Sequence, residues 1–256
     1  MKVVILAGGL GSRLSEETLL KPKPMVEIGG FPILWHIMKT YSAYGVNDFI
    51  ICCGYKGHLI KEYFQNYFLH NSDVTFDLAN NKVTYHKTYS DNWRVTLVDT
   101  GAAAMTGGRL LAVKRYVENE KFFGFTYGDG LINADISKII NFHRSHGQIA
   151  TVTAAHAPAR FGAIEFNETK VMAFSEKPAG DGMMVNAGYF ILDPAVFQYL
   201  EGPSCVWEST PMLSLVHNEQ LQAYKHYGFW HPMDTLADKN KLDAMWLENN
   251  APWKVW

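Results

Sequence analysis

The residues best suited to chemistry lie near the amino terminus, where three glycines are followed by two cations. Gly8, Gly9 and Gly11 allow backbone N–H groups to close around an anion without interference from side chains. Arg13 adds a planar fork of donors that matches phosphate, and Lys23 adds a compact, mobile charge. Together these residues predict a site that binds phosphate groups, and a polyphosphate in particular.

The spacing of this loop fits neither of the two common nucleotide-binding motifs. The Rossmann fingerprint requires a third glycine three residues after Gly11, where this chain has Leu14. A Walker loop requires Gly-Lys-Ser or Gly-Lys-Thr after a four-residue gap, and neither tripeptide follows. The glycines alone are also compatible with a plain tight turn between a strand and a helix. Arg13 and the Pro-Lys-Pro sequence at 22–24 favour the phosphate site over that alternative.

The elements that position this loop follow from an alternation of apolar runs with helical patterns. Residues 3–7 have the length and β-branched content of a buried parallel strand that ends at the glycines. Further strands are predicted at 49–53, 95–98, 122–127 and 149–155, and helices at 32–45, 57–68, 107–117 and 135–146. This order predicts an α/β fold with a Rossmann-like, mostly parallel sheet and helices on both faces.

The pattern changes after residue 156, where the connections between apolar runs become shorter. Strands are predicted there at 163–166, 171–174 and 185–192, and helices at 194–200, 208–217 and 234–248. We therefore expect residues 1–256 to form a single domain, with a core at about 1–155 and a small antiparallel lobe with C-terminal helices at about 156–256.

Composition excludes several classes of protein. The formal net charge of −2 gives no basic field for nucleic acid, and a hydrophobic content of 48% is normal for a globular chain. Cys52, Cys53 and Cys205 lack the spacing of a zinc site and are expected to be free thiols. No apolar run approaches transmembrane length, and the first one is too short for a signal peptide. We expect a cytoplasmic protein without nucleic-acid or membrane partners.

Motifs along nearly the whole chain resemble those of the sugar-phosphate nucleotidylyltransferases. They include Gly8-Gly9-Leu10-Gly11-Ser12-Arg13-Leu14, Pro22-Lys23-Pro24, Met105-Thr106-Gly107-Gly108-Arg109-Leu110, Tyr127-Gly128-Asp129-Gly130, Arg160-Phe161-Gly162, Glu176-Lys177-Pro178 and Trp230-His231-Pro232-Met233-Asp234-Thr235. The resemblance implies transfer of a cytidylyl group from CTP to α-D-glucose 1-phosphate, giving CDP-glucose and pyrophosphate. Another nucleoside triphosphate, another sugar 1-phosphate, and a non-catalytic nucleotide-sugar sensor are the alternatives.

The resemblance also implies roles for the charged residues. Lys23 would act at the α-phosphate, and Arg13 would bind the β- and γ-phosphates. Asp129, between two glycines at the end of a predicted strand, has room to ligate Mg²⁺, and Asp234 would be the second metal ligand. The alternatives from sequence are a turn-forming aspartate at 129 and a helix N-cap at 234. Lys23, Arg13 and Asp129 are thus the expected catalytic residues, with Mg²⁺ as cofactor.

Two further groups of binding residues follow from the same resemblance. The nucleotide is expected to contact Leu6, Ala7, Gly8, Gly9, Leu10, Gly11, Ser12, Arg13, Lys23, Thr106, Gly107, Gly108 and Gly128. The sugar phosphate is expected to contact Tyr127, Gly162, Glu176, Lys177, Asn186 and Gly188. The chain departs from the family pattern at Ala102-Ala103-Ala104, which is apolar where relatives tend to be polar, and this change affects the nucleotide side.

An aromatic cluster near the carboxyl terminus is the remaining feature. Trp246, Trp253 and Trp256 are expected to anchor a final helix or to form a subunit contact. On the second interpretation the protein is expected to be a homo-oligomer.

Overall fold

The computed structural model describes residues 1–88, 91–157, 163–167, 169–175 and 183–256. The strands in these residues are β1 (Lys2–Ala7), β2 (Glu27–Ile28), β3 (Phe31–Pro32), β4 (Asp48–Cys53), β5 (Ser72–Asp77), β6 (Lys82–Thr88), β7 (Arg94–Asp99), β8 (Phe123–Tyr127), β9 (Gly130–Ile132), β10 (Ala150–His156), β11 (Ala163–Asn167), β12 (Lys170–Ser175), β13 (Met184–Leu192), β14 (Leu221–His226) and β15 (Trp230–Pro232). The helices are α1 (Ser15–Thr18), α2 (Ile33–Ser42), α3 (Gly57–Gln65), α4 (Tyr67–His70), α5 (Thr106–Ala112), α6 (Lys114–Val117), α7 (Ile136–His146), α8 (Thr210–His217) and α9 (Leu236–Leu247). Short 3-10 helices lie at Ser12–Leu14, Lys23–Met25 and Pro194–Tyr199.

Seven strands form the central sheet, in the order β14-β10-β13-β8-β1-β4-β7. β8, β1, β4 and β7 run parallel to one another, and β14 runs parallel to β10. β13 is antiparallel to both of its neighbours. The predicted α/β fold with a mostly parallel sheet is therefore confirmed. Because β1, β4, β7 and β8 run in the same direction, the loops that follow them meet at one edge of the sheet.

Helices cover both faces of the sheet, as the alternating pattern predicted. Successive residues of β1 point to opposite faces, so Val3 and Ile5 join one buried cluster while Val4 joins the other. The first cluster contains side chains from α2, α3, α7 and α9, and the second contains side chains from α5, α6 and α8. Among the described residues, no helix is long and apolar enough to cross a bilayer.

Several elements differ from the sequence prediction. The helix predicted at 57–68 is interrupted at Asn66, and the one at 107–117 is interrupted at Val113. The segment predicted as a helix at 194–200 is a 3-10 helix. The strand predicted at 185–192 lies between β10 and β8 in the central sheet, so the second half of the chain completes the sheet that the first half begins. The paired strands β5 and β6, and the edge strand β14, were not predicted.

The three C-terminal tryptophans surround one buried histidine of α2. The ring centroids of Trp246, Trp253 and Trp256 lie 4.7, 6.1 and 6.2 Å from that of His36. The Trp253 indole donates to His36 Nδ1 at 3.3 Å, and the opposite ring nitrogen lies 2.9 Å from the Ile28 carbonyl oxygen. This aromatic tail is thus anchored on the chain's own second helix, which is the first of the two predicted interpretations.

Burial of His36 predicts a loss of stability at acidic pH. Burial lowers the pKa of His36 to about 4, so the unfolded chain, with a pKa near the ordinary 6.5, takes up the proton first as the pH falls. The stability that neutral His36 provides is complete above pH 6.5 and is lost as the pH falls toward 4. Between about pH 7.5 and about pH 5, urea unfolding should show a decrease in unfolding free energy that is about 2 kcal/mol larger in wild type than in His36→Gln.

His58→Gln is the control for this measurement, because it makes the same substitution at an exposed histidine. Burial also lowers the pKa of His143 to about 4. His143 is present in all three proteins and contributes equally to each of them. Equal decreases in wild type and His36→Gln would contradict the assignment.

Candidate active site

A cavity of about 600 Å³ lies beyond the carboxyl ends of β1 and β8. Its lining residues are Leu6, Ala7, Gly8, Gly9, Leu10, Gly11, Ser12, Arg13, Lys23, Pro24, Ala102, Ala103, Ala104, Met105, Thr106, Arg109, Tyr127, Gly128, Asp129 and Glu208. The cavity brings the predicted glycine loop, both cations and the Gly-Asp sequence after β8 to one place. The apolar Ala102-Ala103-Ala104 segment forms part of its wall.

Close packing explains the glycines at the mouth of this cavity. Gly11 has a φ of +64°, a left-handed conformation that glycine adopts without strain. A Cβ on Gly128 would lie 2.3 Å from the carbonyl oxygen of Leu6, and a Cβ on Gly8 would lie 2.2 Å from the guanidinium of Arg109. The backbone after β8 therefore lies against the end of β1, and the glycine loop lies against Arg109, more closely than a side chain at Gly128 or Gly8 would allow.

A buried lysine joins the two predicted metal ligands at one end of the cavity. Lys23 Nζ lies 2.7 Å from Asp129 Oδ2 and 2.8 Å from Asp234 Oδ1. Arg13 Nη1 lies 2.9 Å from the other oxygen of Asp234. The segment that carries Asp234 is held here because Met233 N–H donates to the Asp129 carbonyl oxygen at 2.8 Å. Four of the predicted functional side chains, distant in sequence, thus form one charged cluster.

The electrostatics of this cluster keep Lys23 protonated. Burial opposes its charge, but the carboxylates of Asp129 and Asp234 outweigh burial, and the net pKa of Lys23 is raised. Lys23 and Asp234 are each 8% exposed, whereas the Arg13 side chain is 70% exposed. The single ammonium holds together two carboxylates that would otherwise repel each other.

Asp234 does not cap the helix that follows it, which was the alternative interpretation of this residue. Thr235 is the N-cap of α9, and its side chain and that of Asp238 form a capping box. The two carboxylate oxygens of Asp234 instead accept hydrogen bonds from Lys23 and Arg13.

The donor set fits a hard, oxygen-binding cation such as Mg²⁺ better than it fits zinc. No group of three or more His, Cys, Asp or Glu side chains converges in the part of the chain that the structure describes. Asp129 and Asp234 each place one oxygen within hydrogen-bonding distance of the same cation, Lys23 Nζ. Mg²⁺ commonly binds through one or two carboxylates and completes its octahedron with water and substrate phosphates, whereas a structural zinc site needs four protein ligands.

Arg109 belongs to one of the family motifs but was not predicted as a site residue, and the structure makes it a functional candidate. Arg109 is 4% exposed, and its guanidinium donates to the carbonyl oxygens of Gly8 and Gly101, each at 2.9 Å, and to Thr100 Oγ1 at 2.8 Å. Further donations reach the carbonyl oxygens of Cys53 and Ala102 at 3.3 Å. Arg109 thus fastens the glycine loop to the loop that follows β7. An arginine within the otherwise uncharged sequence of α5 was the available signal.

Removal of the Arg109 guanidinium should destabilise the protein. Arg109→Met leaves several buried carbonyl oxygens without donors, and we expect the unfolding free energy to fall by about 3 kcal/mol. Arg115→Met is the matched control, because the guanidinium of Arg115 is exposed and bonds only its neighbour Tyr116 among the described contacts. Chemical denaturation of both variants checks the prediction, which fails if the two lose the same stability.

A second hydrogen-bonded group lies at the other side of the cavity. Tyr127 Oη and Thr106 Oγ1 donate to the two carboxylate oxygens of Glu208, and Asn186 Nδ2 donates to Tyr127 Oη at 3.2 Å. Gly188 N–H donates in turn to Asn186 Oδ1 at 2.8 Å. The structure therefore connects Tyr127, Asn186 and Gly188, three of the residues predicted on the sugar side. Sequence analysis did not single out Glu208, because a lone glutamate before a helix carries no pattern.

The remaining predicted residues have other positions. Gly107 and Gly108 lie outside the cavity lining, in the first turn of α5, where a Cβ would come within 2.7 Å of Cys205 Sγ and 2.1 Å of the Pro203 carbonyl oxygen. Gly162, Glu176 and Lys177, predicted to contact the sugar phosphate, lie outside the described residues.

Known proteins of one family are similar to this chain over nearly its whole length. The family profile described as "Nucleotidyl transferase" matches residues 2–235. The chain is 56% identical to "Glucose-1-phosphate cytidylyltransferase" of Salmonella typhimurium and 42% identical to "Probable glucose-1-phosphate cytidylyltransferase" of Bacillus subtilis, with 100% of each chain covered in both cases. In fold it is similar to a putative glucose-1-phosphate thymidylyltransferase from Bacillus anthracis, with a TM-score of 0.70, 18% identity, and coverage of 96% of this chain and 94% of that one. This chain therefore belongs to the nucleotidyl transferase family.

Proposed function

We propose that this protein transfers the cytidylyl group of CTP to α-D-glucose 1-phosphate, giving CDP-glucose and pyrophosphate. The observation that carries the proposal is 56% identity, over the full length of both chains, to a curated enzyme named for this reaction. More distant relatives named as mannose-1-phosphate guanyltransferases are 26–27% identical and are covered over 64% of their length. The charged cluster at the end of the cavity is suited to such chemistry.

The reaction makes one bond to the α-phosphorus and breaks another. An oxygen of the sugar phosphate attacks the α-phosphorus of CTP, and the bond from that phosphorus to the bridging oxygen breaks, releasing pyrophosphate. Such displacements require alignment and charge neutralisation, and need no covalent intermediate on the protein. In this proposal the glycine loop and Arg13 bind the β- and γ-phosphates, and both line the cavity. Lys23, on a flexible four-carbon stem, can turn from the carboxylates to the α-phosphate and stabilise the charge that builds up there.

Asp129 and Asp234 are the residues that would hold Mg²⁺. When bound, this ion would neutralise negative charge on the triphosphate and on the departing pyrophosphate. The contribution of the chain itself is to hold two carboxylates at the same side of the cavity as Lys23.

The sugar-phosphate side of the proposal rests on two groups of residues. Asn186 forms hydrogen bonds with both Tyr127 and Gly188. Gly188, whose φ is +77°, also packs directly against Tyr127, since a Cβ at this position would lie 2.6 Å from the Tyr127 ring. Glu176 and Lys177 remain predicted contacts of the sugar phosphate. A homo-oligomer also remains a prediction, and light scattering at micromolar protein concentration tests it.

A substrate panel tests the proposed reaction directly. Four nucleoside triphosphates are each combined with several sugar 1-phosphates, and pyrophosphate release is measured with magnesium present. We expect CTP with glucose 1-phosphate to give the highest kcat/KM. A different best pair would refute the proposed specificity but keep the reaction class. Binding of nucleotide without pyrophosphate release from any pair would favour a nucleotide-sugar sensor.

A further inference from the structure

We propose that Glu208 accepts hydrogen bonds from ring hydroxyl groups of the acceptor sugar and so determines which sugar 1-phosphate is used. This inference rests on the proposed function, because it assigns a residue to the sugar of that reaction. Glu208 lines the cavity but belongs to neither the glycine loop nor the charged cluster. Its occupant must therefore be a part of the substrates other than the triphosphate.

The position of Glu208 is well defined by its neighbours. Trp207 is fully buried and anchors the backbone, whereas Glu208 is exposed to the cavity. One carboxylate oxygen accepts the hydroxyl of Tyr127, at the end of β8, and the other accepts the hydroxyl of Thr106, in the first turn of α5, at 2.6 Å. The carboxylate thus bridges two walls of the cavity, and no cation among the described residues forms an ion pair with it.

The hydroxyl protons of Tyr127 and Thr106 are already donated to an acceptor within the protein. Tyr127 donates its hydroxyl proton to Glu208 and accepts from Asn186, and Thr106 donates its proton to Glu208 and accepts from Trp207 N–H at 2.9 Å. A carboxylate has about four acceptor sites, of which two are occupied here. Glu208, Tyr127 and Thr106 therefore offer only acceptors to a ligand.

An acceptor-only surface selects its ligand by chemistry. A negatively charged carboxylate repels phosphate, and the cavity must admit two phosphate-bearing substrates. Hydroxyl and amino groups are the donors that these substrates carry. The group formed by Glu208, Tyr127 and Thr106 is therefore complementary to a hydroxyl-rich ring and unsuited to the triphosphate.

The sugar ring fits this place better than the base or the ribose, so Thr106, which the family resemblance assigns to the nucleotide, is reassigned here to the sugar side. Only Gly128 separates Tyr127 from Asp129, so the acceptor group begins beside the cluster where the phosphates react. In a sugar 1-phosphate the ring is attached to the attacking phosphate through a single oxygen. In CTP the cytosine amino group is separated from the α-phosphorus by the whole ribose. In addition, Tyr127 is tied through Asn186 to β13, which belongs to the second half of the chain.

The experiment removes one hydrogen-bonding partner at a time from the protein and from the substrate. Wild type, Glu208→Gln and Glu208→Ala are assayed by pyrophosphate release with glucose 1-phosphate and its 2-, 3-, 4- and 6-deoxy analogues. A hydrogen bond from a hydroxyl to a carboxylate corresponds to roughly 10- to 100-fold in kcat/KM. In wild type we expect the kcat/KM for glucose 1-phosphate to exceed that for at least one deoxy analogue by this factor. In Glu208→Ala the ratio of these two kcat/KM values should fall to about twofold or less.

The hydrogen-bond donors of the ribose and of the base supply the negative controls of the test. The ratios of CTP to 2′-deoxy-CTP and of CTP to UTP should be the same in wild type and both variants. An unchanged sugar ratio in Glu208→Ala, or a change in the base or ribose ratio instead, would overturn the proposal. Glu208→Gln keeps the shape of the side chain and decides the question if Glu208→Ala does not fold.

Two controls separate this inference from a structural effect and from the proposed function. Glu201→Gln makes the same change at an exposed glutamate outside the cavity lining and should keep every ratio at its wild-type value. If wild type released no pyrophosphate from any pair, the proposed function would fail. Calorimetric titration of wild type and Glu208→Ala with glucose 1-phosphate and its deoxy analogues would then still test Glu208, through the ratio of their affinities.

Discussion

Replacing Lys23 with methionine should lower kcat on the order of 10³-fold, while the same change at Lys21 should leave kcat within about twofold of wild type. Lys23 Nζ is the cation that lies between Asp129 and Asp234, and it is the residue that we propose to stabilise charge at the α-phosphate. Lys21 instead forms a surface pair with Glu27 at 2.8 Å, and an exposed pair contributes at most about 1 kcal/mol to stability. Single-turnover measurement of pyrophosphate release compares the two variants.

The two lysine variants also separate catalysis from folding. Lys23→Met leaves two carboxylates close together without their shared cation, so its thermal unfolding is measured alongside its rate. The rates are compared at a temperature where both variants remain folded. Equal rates for Lys23→Met and Lys21→Met would remove Lys23 from the reaction.

Neutralising either predicted metal ligand should have an effect of similar size. We expect Asp129→Asn and Asp234→Asn each to lower kcat on the order of 10³-fold, since a bound cation contributes several kcal/mol of charge stabilisation. Binding of Mn²⁺ in the presence of CTP, followed by electron paramagnetic resonance, should weaken in both variants. Asp73→Asn, at an exposed position of β5, is the matched control and should behave as wild type.

Removal of metal from the wild-type protein completes this test. Excess EDTA should abolish pyrophosphate release, and added Mg²⁺ should restore it. A full rate in EDTA would contradict the metal role of the two aspartates. Wild-type Mn²⁺ affinity in both aspartate variants would instead place the metal elsewhere.

Long elements with clear periodicity and end signals were predicted from sequence with bounds close to those observed. The helix α7 begins after Asp135, which caps it, and ends at Gly147, which has a left-handed φ of 72°. The strand β1 was evident because a short apolar run stops at the glycine loop. These features depend on neighbouring residues alone, and local physical chemistry is sufficient to place them.

Elements that depend on distant partners were harder to predict. In the part of the chain that the structure describes, β5 and β6 pair with each other and with no other strand. Exposed or half-buried side chains on both faces remove the alternation that normally identifies a strand. β13 was predicted as an antiparallel strand, but no feature of its own sequence indicates that it lies between β8 and β10. Its position is set by which neighbours leave an unpaired edge, and that information is spread over the whole chain.

The residues of the candidate site also divide into those that local sequence identifies and those that only the fold brings together. Gly8, Gly11 and Arg13 could be identified from their spacing, because a glycine loop and its cation are close in sequence. Asp129 and Asp234 follow Lys23 by 106 and 211 positions, and only the fold brings a carboxylate oxygen of each within 2.8 Å of Lys23 Nζ. Arg109 and Glu208 were missed for a related reason. Each bonds groups from several segments, and no single segment contains that pattern.

The Arg109 contacts have a consequence for the energetics of substrate recognition. One guanidinium already fixes the carbonyl groups of Gly8, Gly101 and Ala102, which belong to two segments that contribute to the walls of the cavity, the glycine loop and the loop that follows β7. These walls are preorganised, so an incoming nucleotide does not have to immobilise them. The conformational entropy of these loops is lost when the protein folds rather than when the nucleotide binds, and the affinity is not reduced by that cost.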